Sequence, residues 1–326
     1  MRAQPFHAGH AHLVKTARSK CDRLVIILGS ANRPQSARNP WTYEERRKMI
    51  HLWVDAQGLS NIEFAPLNDH RYSDVTWRQE VQTVFDELSF PSDILILFGH
   101  SKEGNDYLEW FPEVNYVEVA AEPGMETLCA TDLRRQMWDQ GCLPSEAAAD
   151  MQYFEDERAR FSDYPYPETL NFNCADAIVE CDGHVALIHR GGSPGKGNWA
   201  LPGGFKNRNE TFLDCAIREL REEVNIRVPE KVLRGSIVST KLFDSPDRGE
   251  GIPRNTLAVH IRITRDANGD LPRISPGDDA MKATWVSIYS AMNELAMHDD
   301  HQDILSVMLG TSPVPAIFNP RFQPKR

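Results

Sequence analysis

The chain reads as two consecutive α/β domains, the first built on a doubly wound parallel sheet. Three observations predict this. At 326 residues it is longer than one hydrophobic core usually organises. Its first half alternates apolar, strand-length runs with stretches of helical periodicity, the signature of strands joined by crossover helices. From about Pro144 the pattern changes to a polar, acidic helix, then to an irregular stretch with prolines, then to a second set of strands.

LVIILGS (24–30), IEFAPL (62–67), ILILFGH (94–100) and NYVEVAA (115–121) read as buried strands, because short continuous apolar runs suit a sheet covered on both faces. Between them, Thr42 and Glu45 form a capping box that opens the helix TYEERRKMIHLW, and TWRQEVQTVFDEL places apolar residues at helical spacing from Trp77 through Phe85 to Leu88. SEAAADMQYFEDERARF (145–161) reads as a helix and SDYPYPETLNF (162–172) as a linker, with the domain boundary near Asp163. ADAIVEC (175–181) and HVALIHR (184–190) read as a hairpin about Asp182-Gly183. The predicted organisation is a first domain at 1–143, a helix and linker at 144–168, a second domain at 169–310 and an irregular tail at 311–326, to which no function is assigned.

Composition excludes several classes. Hydrophobic residues are 41% and charged residues 25%, and no apolar run reaches the length of a membrane span. A net charge of -11 argues against nucleic acid as the main partner, since that affinity comes from clustered Lys and Arg. Six cysteines without a CxxC pair, and a start without a secretory pattern, predict reduced thiols and a cytoplasmic location. Small anionic ligands remain compatible, because a few local donors hold a phosphate on an acidic protein.

The segment GGFKNRNETFLDCAIRELREEVNI (203–226) carries the strongest chemistry. Gly204, Glu210, Arg218, Glu219, Glu222 and Glu223 stand at the spacing of the Nudix signature, which the segment resembles at every defined position except Asn225, where that family has glycine. Glu219, Glu222 and Glu223 lie at i, i+3 and i+4 and so project from one helix face. Three carboxylates there call for a divalent cation, and an all-oxygen set suits Mg2+ or Mn2+, which would lower the pKa of an attacking water. Arg218 neutralises the cluster from the side, and Glu210 either binds a further metal or braces the loop. Asparagine is the next most tolerated residue in the left-handed conformation expected at 225. A general base would come from Asp278, Asp279, Asp299 or Asp300, each weighed against an ordinary surface carboxylate.

HAGH (7–10) precedes a helix beginning near Gly9 and resembles the HxGH motif of nucleotidyltransferases, in which both imidazoles and the helix N-terminus face the triphosphate. With GSANRP, NPWTYEERRKMI, LFGHSKEGNDYLEWFP and LCATDLRR, it resembles the NMN adenylyltransferase type found joined to a Nudix domain. That resemblance implies an HxGH nucleotidyltransferase-like Rossmann domain followed by an α/β/α Nudix domain with a mixed sheet. It implies that His7, His10, Thr131 and Arg134 hold ATP phosphates, with Cys129 replacing the usual serine. Trp77 either stacks near the nicotinamide ring or packs in the core. The family places a full strand before this motif, whereas this chain begins Met1-Arg2-Ala3-Gln4, so either a strand lies upstream or the sheet lacks most of its first strand and leaves neighbouring backbone groups unpaired.

PGKGNWALPGGF (194–205), LFDSPDRGEGIPR (242–254) and GDDAMKATWVSI (277–288) extend the resemblance to the ADP-ribose pyrophosphatase branch, with Phe243 and Arg248 as substrate contacts. The implied activities are hydrolysis of ADP-ribose to AMP and ribose 5-phosphate and adenylyl transfer from ATP to NMN, giving NAD and pyrophosphate. The competing readings are a Nudix hydrolase with a decayed first domain and a non-catalytic nucleotide sensor.

Overall fold

A computed structural model describes residues 1–99, 110–125, 127–277 and 280–323. The chain divides into two compact units: Met1–Arg33, Arg38–Pro144 and Pro315–Arg326 form the first, and Pro34–Ala37 with Ser145–Val314 the second. The helix set aside with the linker thus belongs to the second unit, and most of the tail to the first. Among the described residues no helix is long and apolar enough to cross a membrane.

The first unit runs α1 (Ala8–Arg18), β1 (Leu24–Leu28), α2 (Tyr43–Ala56), β2 (Ile62–Pro66), α3 (Asp74–Leu88), β3 (Ile96–Gly99), β4 (Asn115–Glu118) and α4 (Ala130–Asp139). β1 pairs with β2, and β3 with β4, both in parallel. The alternation along β1 explains the double winding. Leu24, Ile26 and Leu28 face a cluster with Val14, Ile50 and Val54 of α1 and α2, while Val25 and Ile27 face one with Val81 and Val84 of α3. The expected capping box on α2 forms, with Thr42 Oγ1 accepting from Glu45 N and Glu45 accepting from Thr42 N.

Two expectations change here. β3 and β4 are half exposed rather than buried, with Ile96 37% exposed and Ile94, which precedes β3, 78%, because they form a separate two-stranded ribbon whose faces are only partly covered. The second is met in part: among the described residues no strand pairs the far edge of β1, and Met1 supplies one bridge there. Met1 N donates to Ile27 O (2.7 Å) and Gly29 N to Met1 O (3.0 Å), the bonding of a parallel bridge opposite Leu28. The buried Arg46 guanidinium then donates to the carbonyls of Arg2, Gly29 and Ser30.

The tail is ordered rather than irregular. It contains short 3-10 turns at Ala316–Phe318 and Pro320–Phe322, and buries Ala316 and Phe322 in the α1/α2 cluster. Glu80 of α3, 3% exposed, accepts from Asn68 N (3.0 Å) and Ala316 N (2.8 Å), and meets His70 Nε2 at 2.5 Å. Replacing Glu80 with Ala removes the acceptor of two backbone donors, at about 1–3 kcal/mol each. Thermal unfolding should therefore show the first unit destabilised by about 3 kcal/mol with the second unchanged; an unshifted first transition would contradict this account of the tail.

The second unit comprises α5 (Ser145–Arg160), β5 (Phe172–Cys181), β6 (His184–Arg190), β7 (Trp199–Ala200), β8 (Gly203–Phe205), α6 (Phe212–Val224), α7 (Glu230–Gly235), β9 (Ile237–Phe243), β10 (Arg254–Ile263), β11 (Ala280–Ser287), α8 (Ile288–Asn293) and α9 (His301–Leu309). Its sheet is mixed, in the order β11-β6-β5-β10-β9, with β7 on β6 and β8 on β5. β5 and β10 are parallel and the other pairs antiparallel. The β5–β6 hairpin turns at Asp182 (φ 46°) and Gly183 (φ 73°), as the Asp-Gly pair predicts. Ala175, Ala177 and Val179 of β5 pack on Ala216, Ile217 and Leu220 of α6, and these small and branched residues bring the helix close to the sheet.

Candidate functional sites

In the second unit, α6 begins with a capping box of Thr211 and Asp214 and ends at Asn225, which is left-handed (φ 45°, ψ 47°) as expected. Asn225 Nδ2 donates to Ser275 Oγ (3.0 Å), and Ser275 N and Gly277 N donate to the carbonyls of Val224 and Glu223. A Cβ on Gly277 would lie 1.5 Å from Glu222 O, so glycine is required where this segment crosses the helix end. Sequence reasoning missed Gly277. Asn225→Ala should cost about 1 kcal/mol, while Asn225→Gly should leave the denaturant midpoint almost unmoved; equal effects of the two would refute the left-handed cap.

The carboxylates converge on Arg218 as they stand. Its guanidinium donates twice to Glu210 (3.0 and 2.8 Å), and to Glu219 Oε1 (2.7 Å), Glu222 Oε2 (2.8 Å) and Phe205 O (3.0 Å). Glu223 turns instead to Gly203 N, accepting at 2.9 Å. Among the described residues no three His, Cys, Asp or Glu side chains are arranged to enclose a metal ion, because Arg218 draws two of the glutamates and Gly203 the third. One oxygen each of Glu219, Glu222 and Glu223 nonetheless keeps no hydrogen bond among the described residues, and these oxygens are hard donors of the kind magnesium and manganese take.

The electrostatics separate the four glutamates. Arg218, then Asn207 N, hold the Glu210 carboxyl down to about 2. Both Glu210 oxygens are occupied, by Arg218 and Asn207 N. Burial pushes Glu223 up to about 8 and raises Glu219 as well, since neither has enough countercharge to offset lost solvation. Gly204 lies against Glu219, with an added Cβ 2.6 Å from Glu219 Oε1, so the glycine lets the loop approach the carboxylate.

Arg190, also missed from the sequence, ends β6 and donates through Nε to Pro194 O (2.9 Å). Burial lowers its pKa, and Glu223 is the largest of the charges opposing that shift. A signal existed, namely a lone arginine between a strand and the glycine-rich loop 191–197. Phe243 and Arg248, by contrast, are not open to a ligand. Phe243 is 2% exposed at the end of β9, and Arg248 is 6% exposed, donating to Asp300 Oδ2 at 2.9 Å. Asp300 is correspondingly an interior carboxylate. Asp299 is left-handed (φ 42°), and Asp278 and Asp279 lie outside the described residues.

In the first unit, His7 caps α1, and its ring stacks on His10 with centroids 3.8 Å apart. A Cβ on Gly9 would come within 3.2 Å of the His7 ring. Arg134 of α4 donates to Gln4 O (2.8 Å) and to Thr131 Oγ1 (3.0 Å), so the structure joins LCATDLRR to the QPFHAGH loop. Gln4, not singled out from the sequence, also bonds Trp41 through both ends of its amide. Cys129 sits at the α4 N-cap, where backbone donors from Thr131 and Asp132 lower its pKa. Trp77 is half-buried on α3, edge-to-face with Trp110 (6.3 Å) and packed against the cluster of Val81 and Phe111. Residues 100–109 of LFGHSKEGNDYLEWFP lie outside the described residues.

An imidazole pair at a helix N-terminus in one unit and a glutamate-rich helix against a glycine loop in the other define a nucleotide-phosphate protein with two sites. Comparison with known proteins agrees. The cytidylyltransferase-like family matches residues 2–112, and the NUDIX domain residues 172–307. A nicotinamide/nicotinic acid mononucleotide adenylyltransferase of Acinetobacter baylyi is 30% identical over 160 residues, 48% of this chain and 84% of that protein. An ADP-ribose pyrophosphatase of Methanocaldococcus jannaschii is 34% identical over 130 residues, 40% and 68% respectively. The crystal structure of a bifunctional NMN adenylyltransferase/ADP ribose pyrophosphatase from Francisella tularensis superposes with a TM-score of 0.83 at 26% identity, covering 95% of this chain and 96% of that one. A second Francisella structure is described as complexed with AMP and a manganese ion. The chain belongs to the bifunctional NMN adenylyltransferase/Nudix hydrolase family.

Proposed function

We propose that the protein hydrolyses ADP-ribose to AMP and ribose 5-phosphate in its second unit and transfers adenylyl from ATP to NMN in its first. The observation that carries the hydrolase is the set of three glutamates beside the Gly203-Gly204 loop, each with one oxygen that makes no hydrogen bond among the described residues. Glu219, Glu222 and Glu223 would hold the divalent cation, magnesium in the cell with manganese as a substitute. When bound, that cation neutralises pyrophosphate charge and lowers the pKa of the attacking water. The protein's own part is placement. Arg218, fixed by Glu210, orients two of the carboxylates, and Gly204 lets the loop close on Glu219. Arg190 presents a partly desolvated guanidinium to a substrate phosphate, where it is worth more than in water.

In the first unit the NMN phosphate attacks the ATP α-phosphorus in line, and pyrophosphate leaves. No protein nucleophile is needed, so His7, His10, Thr131 and Arg134 serve by holding and neutralising the phosphates. The Arg134 tie to Gln4 O supports this reading, since it brings a guanidinium to the HAGH loop. The substrates are small nucleotides, ADP-ribose, ATP and NMN, with neither nucleic acid nor membrane as partner, and the setting is cytoplasmic. A panel of ADP-ribose, other nucleoside diphosphate sugars and NMN with ATP, each with magnesium, tests both halves. AMP from ADP-ribose and NAD from NMN are the expected products. Turnover of a different diphosphate in place of ADP-ribose would overturn the substrate assignment, and absence of NAD would reduce the first unit to a nucleotide-binding scaffold.

A further inference from the structure

The strand that leads into the glycine loop is held by a set of groups of which only Glu223 has a part in the chemistry above. Trp199 N and O bond Ala296 O (2.9 Å) and His298 N (2.7 Å). Leu201 N donates to His301 Nδ1 (2.9 Å), Pro202 O accepts from Ala177 N (2.8 Å), and Gly203 N donates to Glu223. Every one of these bonds fixes the position of residues 199–203 relative to the glutamates of α6.

His301 is 7% exposed and opens α9; directly before it, Asp300 is fully buried and receives Arg248 Nε (2.9 Å). The same guanidinium lies 3.6 Å from Asp176 Oδ2, which also accepts from Thr256 Oγ1 (2.7 Å). Asp176 pairs with Gly203 across β5 and β8, and a Cβ on Gly203 would fall 2.1 Å from Asp176 Oδ1. Arg248 therefore ties two carboxylates together. One sits under Gly203, and the other precedes the imidazole that holds Leu201.

We propose that Arg248, Asp300, Asp176 and His301 form a brace that sets the position of Leu201–Gly203 against Glu219 and Glu223, making Arg248 and His301 positioning residues of the hydrolase site. The chemistry of each member suits this task. A guanidinium spans two carboxylates with directed donors, whereas a lysine would satisfy one. The imidazole accepts at Nδ1 only when that nitrogen carries no proton, and burial favours the neutral ring that allows this. A buried pair with this geometry holds its partners firmly, because releasing either charge leaves the other desolvated and alone. The brace rests on the hydrolase reading, yet its structural part is measurable without substrate.

Two variants and two readouts test it. His301→Leu removes the acceptor for Leu201 N, and His301→Asn restores an acceptor through its amide oxygen. Hydrogen exchange at the Leu201 and Gly203 amides should accelerate at least tenfold in His301→Leu and return close to the wild-type rate in His301→Asn. In ADP-ribose hydrolysis His301→Leu should lower kcat about 10–100-fold, the scale seen when groups orienting a site are removed, with KM within about twofold. Arg248→Lys, which keeps the charge and so the fold, should lower kcat about tenfold with KM likewise unchanged. Unchanged amide exchange in His301→Leu overturns the brace. A KM raised tenfold in Arg248→Lys at constant kcat overturns it too, in favour of a direct substrate contact. If the wild-type protein leaves ADP-ribose intact, the substrate reading fails, while the exchange result still decides the brace.

Discussion

Glu222→Gln should reduce ADP-ribose hydrolysis about a thousandfold, the scale at which loss of one group stabilising transition-state charge acts, and leave NAD formation intact. The residue is exposed, and its single described bond is to Arg218, which keeps Glu210 and Glu219 as partners, so the substitution spares the core. It removes a negative charge from the set of free oxygens and puts an amide in its place. Steady-state AMP release, with thermal unfolding as a control on the fold, checks this. Full activity in a folded Glu222→Gln protein would remove Glu222 from the metal set. Glu210→Gln should be milder in its effect on metal affinity, because Glu210 acts through Arg218: about 10–100-fold in kcat, as for a group that orients a ligand.

Arg134→Ala should depress NAD formation about a thousandfold, comparable to removing an arginine that stabilises charge in phosphoryl transfer, with ADP-ribose hydrolysis unaltered. Arg134 has two described ties, to Gln4 O and Thr131 Oγ1, so the loss combines a missing phosphate partner with a loosened QPFHAGH loop. Arg134→Lys separates the two. A lysine retains the charge but not the planar fork, and should recover part of the rate. NAD formation at the wild-type rate in Arg134→Ala would exclude the residue from the site. Together the two variants form a crossed pair, each silencing one reaction, and that independence is expected from a chain whose two site constellations lie in separate compact units.

Much of this was legible in the sequence because it depends on local geometry. The i, i+3, i+4 spacing of Glu219, Glu222 and Glu223 fixes a shared helix face, the Thr42–Glu45 box opens α2, and Asp182-Gly183 turns the hairpin. Asn225 is left-handed because the helix must end there and asparagine tolerates that conformation. Less legible were burial and partner choice. ILILFGH has the composition of a buried strand, but burial depends on what covers a sheet, and β3 and β4 are covered only in part.

Partner choice shows the division most clearly. The resemblance implied Arg248 and Phe243 as substrate contacts, a guanidinium for a phosphate and an aromatic for adenine; long-range packing put Arg248 between Asp176 and Asp300 and buried Phe243. Likewise the spacing did not show that Glu210 would give both its oxygens to Arg218. The sequence by itself determined the two α/β units, the glutamate-bearing helix with its cap, and the HAGH loop at a helix start, because each follows from contacts within a few residues. Only the tertiary structure decided that the tail completes the first unit, that Arg190 lies within the electrostatic reach of Glu223, and that Arg248 and His301 meet the residues leading into the glycine loop. Each rests on groups far apart in sequence meeting in the interior of one unit, the tail with α1, α2 and α3 in the first and Arg248 with Asp176 and Asp300 in the second, where an unpaired charge is costly.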